Sequence, residues 1–155
     1  HQKQPDKALH ILGLVSDGGI HAHINHLEQV VRLAAPCVKT IYVHAFTDGR
    51  DTDPKAGLGF LKQLQKRMAT YNNVYLASIV GRYFAMDRDL RWVRTAKAHR
   101  LLTAGQGQYF KSATAALTHY YATGQSDEFI EPTVLPNFQA IAPADSVLFF
   151  NKNSW

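Results

Sequence analysis

The residues best suited to chemistry lie in polar loops, and the most informative motif among them is Asp48-Gly49-Arg50-Asp51. It follows an apolar run at 41–46, which predicts a buried strand. An arginine can bind phosphate or carboxylate through paired hydrogen bonds. Asp51, flanked by Arg50, is expected to stay ionised and to serve as a general base. The motif therefore predicts a site for a small anion that bears a hydroxyl group.

Two further loops of this kind follow the neighbouring apolar runs. One covers residues 16–21, and the other begins at Gly81 and continues to Asp89. Because the carboxyl ends of parallel strands meet at one edge of a sheet, we expect all three loops to converge. Together they would bring the following charged or titratable residues to one site: Asp17, His21, Asp48, Arg50, Asp51, Arg82, Arg88 and Asp89.

Two of the three loops also have an interpretation that needs no ligand. Asp-Gly sequences are common in turns, so the 48–51 motif alone is weak. Arg82 could form a structural ion pair with Asp48, and Arg88 with Asp89 could simply begin an exposed helix. The occurrence of three such loops after three successive strands favours a binding site.

Three histidines, His21, His23 and His26, suggest a metal site. The glycines before them and the predicted helix after them do not put the three rings on one face, and no cysteine lies nearby. We therefore expect His21 alone to contact a ligand and predict no metal ligand in this chain.

The apolar pattern indicates how the loops would be positioned. Strands are predicted at 10–15, 40–46 and 74–80, and helices at 23–35, after Pro54 and from Asp87 as N-cap to 104, with Gly105 as C-cap. Strand starts recur about every thirty residues, the length of a βαβ unit. The predicted fold is α/β, a three-layer αβα sandwich with a mostly parallel sheet.

The second half of the chain carries weaker signals. Residues 112–123 predict a helix, the proline-containing stretch 129–142 predicts irregular or edge structure, and 147–150 predict a last buried strand. We interpret 1–155 as a single domain, with residues 1–8 and 152–155 as tails or linker remnants.

Composition limits the class of protein and of partner. No apolar run approaches the roughly 18 residues of a membrane helix, and the single cysteine, Cys37, excludes an internal disulfide. We therefore predict a cytoplasmic protein without membrane contact. The net charge of +5 and a pI of about 9.4 favour anionic partners.

A basic stripe in the predicted helix 88–100 leaves a second hypothesis open. Cations recur there every three residues, at Arg88, Arg91, Arg94, Lys97 and Arg100. Such a stripe could serve a non-catalytic module that binds anions or nucleic acid. No aromatic platform or base-reading motif accompanies it, so nucleic acid is the less favoured partner.

In order and spacing, the motifs at 13–23, 44–52 and 81–92 resemble the cofactor-independent (2,3-bisphosphoglycerate-independent) phosphoglycerate mutases. The resemblance covers residues 9–151. Shorter matches extend it through the second half of the chain, at Asp127-Glu128-Phe129, Pro132-Thr133-Val134 and Phe149-Phe150-Asn151.

The resemblance implies an enzyme of two domains. One is similar to alkaline phosphatases and carries a serine nucleophile and two metal ions, usually manganese. The present chain resembles the other, an inserted substrate-binding or phosphotransferase domain. The implied reaction, part of glycolysis and gluconeogenesis, interconverts 3-phosphoglycerate and 2-phosphoglycerate through a phosphoserine. The implied partners are these substrates and the phosphatase-like domain.

The same resemblance implies roles for individual residues. His21, Arg50, Asp51, Arg82 and Arg88 would contact the substrate, and Asp51 would take part in catalysis by handling a glycerate hydroxyl proton. Ala22, Asp53 and Val93 stand where the family commonly has Ser, Pro and Asp. After Asn151 the family continues with a Phe-Arg-Ala-Asp-Arg run that this chain lacks. Because nucleophile and metals belong to a domain absent from this sequence, we expect the isolated chain to be inactive.

Overall fold

The computed structural model describes residues 7–152 and has a six-stranded sheet at its centre. The strands are β1 (Leu9–Leu14), β2 (Ile41–Thr47), β3 (Val74–Gly81), β4 (Gln108–Tyr109), β5 (Thr133–Val134) and β6 (Ser146–Phe149). The helices are α1 (Ile24–Ala34), α2 (Gly57–Met68), α3 (Arg82–Ala85), α4 (Trp92–Ala104) and α5 (Ala113–Ala122). A 3-10 turn at Asp127–Phe129 precedes β5.

The strand order is β4-β5-β3-β2-β1-β6. Strands β1, β2, β3 and β6 run parallel, whereas β5 is antiparallel to β3. The α/β fold with a mostly parallel sheet is therefore confirmed. The carboxyl ends of β1, β2 and β3 lie side by side, so the loops that follow them are neighbours.

Helices cover both faces of the sheet and produce the three predicted layers. On one face, α1, α2 and α5 share a buried cluster with the sheet, and on the other α3 and α4 do. The first cluster includes Ile11, Leu27, Val43, Leu61 and Leu117, and the second includes Leu12, Phe46, Phe84 and Leu101. Because both faces are covered, β1 to β3 are apolar at nearly every position.

The segment after β3 differs from the prediction. The short helix α3 follows β3 directly, and α4 begins only at Trp92, with Arg91 as its N-cap. Asp87, predicted as the cap, lies outside the helix and accepts a hydrogen bond from the Arg91 N–H at 2.8 Å. Leu90 has a left-handed φ of 56°. The chain thus bends sharply between two helices, and no apolar period reveals such a bend.

Strand β6 exists as predicted but is not buried. It lies at the edge of the sheet beside β1, and Val147 and Phe149 are 52% and 45% exposed. The prediction was wrong because a short apolar run has the same pattern at an edge as at the centre of a sheet. Just beyond β6, the Lys152 N–H donates a hydrogen bond to the carbonyl of His21, so this end of the chain reaches the first polar loop.

Other element predictions had mixed outcomes. Helix α2 begins at Gly57, and residues 54–56 form a turn before it. Helix α5 falls within the predicted 112–123, and Gly105 caps α4 with a left-handed φ of 64°. The 129–142 stretch is irregular except for β5, which lies inside the sheet and pairs with β4, a strand too short to show a pattern.

The predicted tails, residues 1–8 and 152–155, belong only partly to the described residues. Residues 1–6 and 153–155 lie outside the described residues. Ala8 is part of the fold, because its N–H donates to Asp145 Oδ1 at 3.0 Å and its carbonyl accepts from the Ser146 N–H. Among the helices of residues 7–152, none is long and apolar enough to cross a membrane.

A chain of polar side chains crosses the sheet. His10 Nε2 lies 3.1 Å from Asp145 Oδ2, His10 Nδ1 lies 2.9 Å from His44 Nε2, and His44 Nδ1 lies 2.7 Å from Ser78 Oγ. The two histidines are fully buried. Burial, and next the nearby His10, lowers the pKa of His44 to about 3. Burial also lowers the pKa of His10, although Asp145 acts to raise it, so both rings are held neutral inside the sheet at physiological pH.

Candidate functional site

The three polar loops meet at one edge of the sheet and surround an open cleft. Ten residues from these loops, from α4 and from the turn before β5 line it. They are His21, Arg50, Arg82, Tyr83, Met86, Asp87, Arg88, Asp89, Arg94 and Glu128. Four of the five predicted substrate contacts are thus lining residues, and the fifth, Asp51, lies beside them.

Asp48 organises the loop that follows β2. Its side chain is 2% exposed and accepts four hydrogen bonds. The Ser16 hydroxyl donates at 2.8 Å, the backbone N–H groups of Arg50 and Asp51 at 3.2 and 3.0 Å, and Arg82 Nη1 at 2.7 Å. Burial acts to raise the pKa of Asp48, but these hydrogen bonds outweigh it and hold the pKa below its ordinary value.

Arg82 is an internal part of the site as well as a lining residue. Its side chain is 5% exposed, and Nη1 donates to Asp48 Oδ1 at 2.7 Å and to Asp51 Oδ2 at 2.6 Å. Burial acts to lower the pKa of Arg82, but the hydrogen bonds with Asp51 and Asp48 hold it above its ordinary value. The structural ion pair considered from the sequence does form, at one side of the open cleft.

Asp51 has different neighbours from those expected. The sequence pointed to Arg50 as its cationic partner, but the partner is Arg82, and His21 Nε2 lies 3.8 Å from Asp51 Oδ2. The Asp51 side chain is 14% exposed, and within residues 7–152 its other oxygen, Oδ1, accepts no hydrogen bond. An ionised carboxylate with one committed and one unused oxygen can accept a proton from a bound hydroxyl.

Arg50 extends over the cleft and pairs with Glu128, a residue not predicted from the sequence to belong to the site. Arg50 Nη2 donates to Glu128 Oε1 at 2.6 Å. The two residues are 78 positions apart, so spacing along the chain gives no sign of the contact. The only signal was the Asp127-Glu128-Phe129 match in the family resemblance.

The Asp127–Phe129 turn is fixed by buried contacts. Asp127 is fully buried; its Oδ2 accepts from the Gly57 N–H at 2.7 Å, and its Oδ1 accepts from the Tyr121 hydroxyl. Burial raises the pKa of Asp127, although both hydrogen bonds act in the opposite direction. The Thr47 hydroxyl also donates to the Asp127 carbonyl at 2.7 Å.

The far wall of the cleft carries the remaining cations. Arg88 is exposed, and among residues 7–152 its guanidinium has no hydrogen bond or ion pair. Arg94 lies over the Tyr83 ring, 3.7 Å from its centroid, and 3.3 Å from Asp87 Oδ1. Arg88 is therefore the lining arginine most open to an added anion.

The rest of the basic stripe is partly neutralised. Lys97 Nζ lies 2.9 Å from Glu131 Oε2, and Arg91 Nε lies 4.0 Å from Asp89 Oδ2. Together with the Arg94–Asp87 pair, these contacts reduce the charge available to a nucleic-acid backbone. The stripe is thus a less favourable anion surface than the sequence suggested.

The other candidates lie away from the cleft. Asp17 is exposed and is not a lining residue. His23 caps α1, with its Nδ1 accepting from the Asn25 N–H at 3.1 Å, and His26 is exposed. Within the described part of the chain, no group of three or more His, Cys, Asp or Glu residues could hold a metal ion.

The site combines fixed and accessible charge. The buried part is an ion-paired cluster of Arg82, Asp48 and Asp51. The accessible part consists of Arg50, Arg88 and His21, which line the opening. Such a cleft can bind a small molecule with two anionic groups and can accept a proton from a hydroxyl between them.

The chain is similar in sequence to known proteins of one family. A family model described as BPG-independent PGAM N-terminus matches residues 1–153. The 2,3-bisphosphoglycerate-independent phosphoglycerate mutase of Symbiobacterium thermophilum is 46% identical over 151 residues, and that of Synechococcus elongatus 47% over 150. Each match covers 96% of this chain but only 29% and 28% of the two relatives.

A solved structure shows the same fold. The crystal structure of Leishmania mexicana phosphoglycerate mutase at low cobalt concentration matches with a TM-score of 0.89 and 29% identity. The match covers 96% of this chain and 30% of that chain. The chain thus spans less than a third of the length of the relatives it matches.

Proposed function

Because this chain belongs to the family of 2,3-bisphosphoglycerate-independent phosphoglycerate mutases, we propose that it supplies the substrate-binding cleft of such an enzyme. The substrates would be 3-phosphoglycerate and 2-phosphoglycerate, which carry a phosphate, a carboxylate and a hydroxyl. The observation that carries the proposal is the grouping of Arg50, Arg88 and His21 around one opening, next to the unused Asp51 Oδ1.

Each side chain has a role in this proposal. Arg50 and Arg88 bind the carboxylate and phosphate, for which the forked guanidinium geometry is suited. Arg82 holds the Asp51 carboxylate in place through the hydrogen bond from Nη1 to Oδ2. The oxygen of the glycerate hydroxyl attacks the phosphoryl group of the phosphoserine while its proton passes to Asp51 Oδ1. The bond between phosphorus and the serine oxygen breaks, and the serine oxygen leaves.

That serine belongs to a second domain in this proposal. The two manganese ions that the resemblance implies would also be held there, because residues 7–152 offer no cluster of metal-binding side chains. We expect the chain alone to show no mutase turnover. A cytoplasmic location remains a prediction from the sequence.

The surface around the cleft suits contact with that domain. Exposed apolar residues directly adjoin lining residues in the sequence: Ile20 next to His21, and Leu90 next to Asp89. Leu90, Trp92 and Val93 are 72%, 69% and 78% exposed. A second domain that covered them would exclude water from the cleft and strengthen its charged contacts.

Titration of the isolated chain with 3-phosphoglycerate tests the proposal. Arg50→Ala and Arg88→Ala should each weaken binding by about 1.5–3 kcal/mol, the usual contribution of a charge-assisted hydrogen bond. Arg32→Ala is the matched control, since this arginine lies on the exposed face of α1 and contacts Gln29. Equal affinity for the wild type and both cleft variants would contradict the proposed site.

A further inference from the structure

The pair formed by Arg50 and Glu128 is unequal in exposure. The Arg50 side chain is 56% exposed and the Glu128 side chain only 13%. Among residues 7–152, Glu128 is the one partner of the Arg50 guanidinium, through Nη2 alone. A long, exposed arginine samples many rotamers unless a partner holds it. Glu128 is therefore the ordered member of the pair, and Arg50 is the member whose rotamer depends on its partner.

The backbone of Glu128 is fixed by the two loops that carry the arginines. Gly49, the residue before Arg50, packs so closely that a Cβ there would lie 2.8 Å from the Glu128 nitrogen. Gly81, the residue before Arg82, packs against the Glu128 carbonyl, and a Cβ there would lie 2.7 Å from its carbon. Glu128 is therefore wedged between the β2–α2 loop and the β3–α3 junction.

Two hydrogen bonds also fix the Asp127–Phe129 turn. Asp127 binds the first N–H of α2, and the Gly81 N–H donates to the Ile130 carbonyl at 2.7 Å. The Glu128 carboxylate thus has a defined position relative to both arginine-bearing loops. Among residues 7–152, no group accepts a hydrogen bond from Nε or Nη1 of Arg50, so both can meet a ligand.

We infer that Glu128 is a positioning residue: its carboxylate holds the Arg50 guanidinium over the cleft and so prepares the free N–H groups for the substrate anion. The inference rests on the proposed function for the identity of that anion. It assigns Glu128 no contact with the substrate and no proton transfer.

Charge alone predicts the opposite effect. Glu128 places a negative charge beside an anion site, so its removal should strengthen anion binding if the residue acts only through its field. If Glu128 positions Arg50, its removal should weaken binding, because the guanidinium must then be ordered by the ligand. The sign of the change separates the two roles.

The experiment compares Glu128→Gln with Glu131→Gln by NMR titration of the chain with 3-phosphoglycerate. Glu131 is a matched control, because it is a nearby carboxylate that pairs with Lys97 outside the cleft. We expect Glu128→Gln to weaken binding about fivefold to tenfold and Glu131→Gln to leave it unchanged. In an Arg50→Ala background, Glu128→Gln should cause no further loss of affinity, because there is no guanidinium left to position. Tighter binding by Glu128→Gln when Arg50 is present, or the same loss of affinity when Arg50 is absent, would overturn the inference.

A second measurement needs no ligand. The Nε–Hε signal of Arg50 should show an ordered side chain in the free wild type and a mobile one in Glu128→Gln, with backbone signals of Gly49 and Gly81 unchanged. Failure of the wild type to bind 3-phosphoglycerate would count against the proposed function only, and an ordered Arg50 signal would still support the positioning role. An Arg50 signal in the free wild type as mobile as that of Arg88, whose guanidinium has no hydrogen bond or ion pair among residues 7–152, would overturn it.

Discussion

Arg50 and Arg82 each follow a glycine at the end of a strand, yet the structure uses them differently. Arg82 is 5% exposed and bridges two aspartates, whereas the Arg50 side chain is 56% exposed. From the sequence, both are predicted as substrate contacts, and a structural ion pair with Asp48 is the alternative for Arg82. Their environments differ because Asp48 is buried behind Arg82, and burial depends on packing that residue types do not encode locally.

The Arg82→Ala variant should therefore damage the fold itself. It would leave Asp48, 2% exposed, without its cation. We expect the free energy of unfolding to fall by about 3–5 kcal/mol, the usual consequence of breaking a buried ion pair. Urea unfolding would measure it, with Arg32→Ala expected to remain within about 0.5 kcal/mol of the wild type. Equal stability of the two variants would show that Asp48 does not depend on Arg82.

The buried histidines predict a pH dependence of stability. The pKa of His44 is lowered from 6.5 to about 3, so the unfolded chain binds a proton at a higher pH than the folded chain does. The contribution to stability is complete above pH 6.5 and is lost as the pH falls towards 3. At pH 5 the loss should be about 2 kcal/mol.

Urea unfolding at pH 7.5 and pH 5 would measure this loss. His44→Gln should reduce the pH dependence, whereas His26→Gln, at an exposed position, should keep it. An unchanged pH dependence in His44→Gln would show that another group is responsible.

At the scale of elements, the apolar patterns predicted the strands and helices that are long and covered. β1, β2, β3, α1 and α5 were close to the predicted bounds because each buries a regular stripe or face. The start of α4 was missed, since the bend before it depends on Leu90 at a left-handed φ. The Asp127–Phe129 turn was also missed as part of the site, since its position is set by contacts with distant loops.

Substitution of Gly81 tests how tightly the Asp127–Phe129 turn is packed, and substitution of Gly59 serves as the control. Gly81 has an ordinary φ of −66°, but a Cβ there would lie 2.7 Å from the Ile130 nitrogen and collide with Glu128. We expect Gly81→Ala to lower the free energy of unfolding by about 1–3 kcal/mol. Gly59, within α2, has no atom within 4 Å of a Cβ position, so Gly59→Ala should raise it by about 0.5–1 kcal/mol.

Thermal or urea unfolding of both variants would test the contrast, since the substitution adds the same methyl group in each case. Stabilisation by Gly81→Ala would mean that the turn yields easily. Such a result would also argue against a fixed position of Glu128.

At the scale of the whole molecule, the sheet order explains why loops far apart in sequence form one cleft. The convergence was predictable, because parallel strands joined by helices put their carboxyl ends together. The chain spans only 29% of one relative and 28% of another. The exposed apolar residues beside the cleft, Leu90, Trp92 and Val93, are the surface that we propose a second domain contacts.

The most direct test is to map the chemical-shift changes of the chain as 3-phosphoglycerate is added. We expect saturable changes in the loops at 16–21, 47–52 and 81–89 and at Glu128, with little change along the exposed part of α4. Changes confined to Arg91 and Arg100, or no saturable change at the three loops, would contradict a phosphoglycerate site in this cleft.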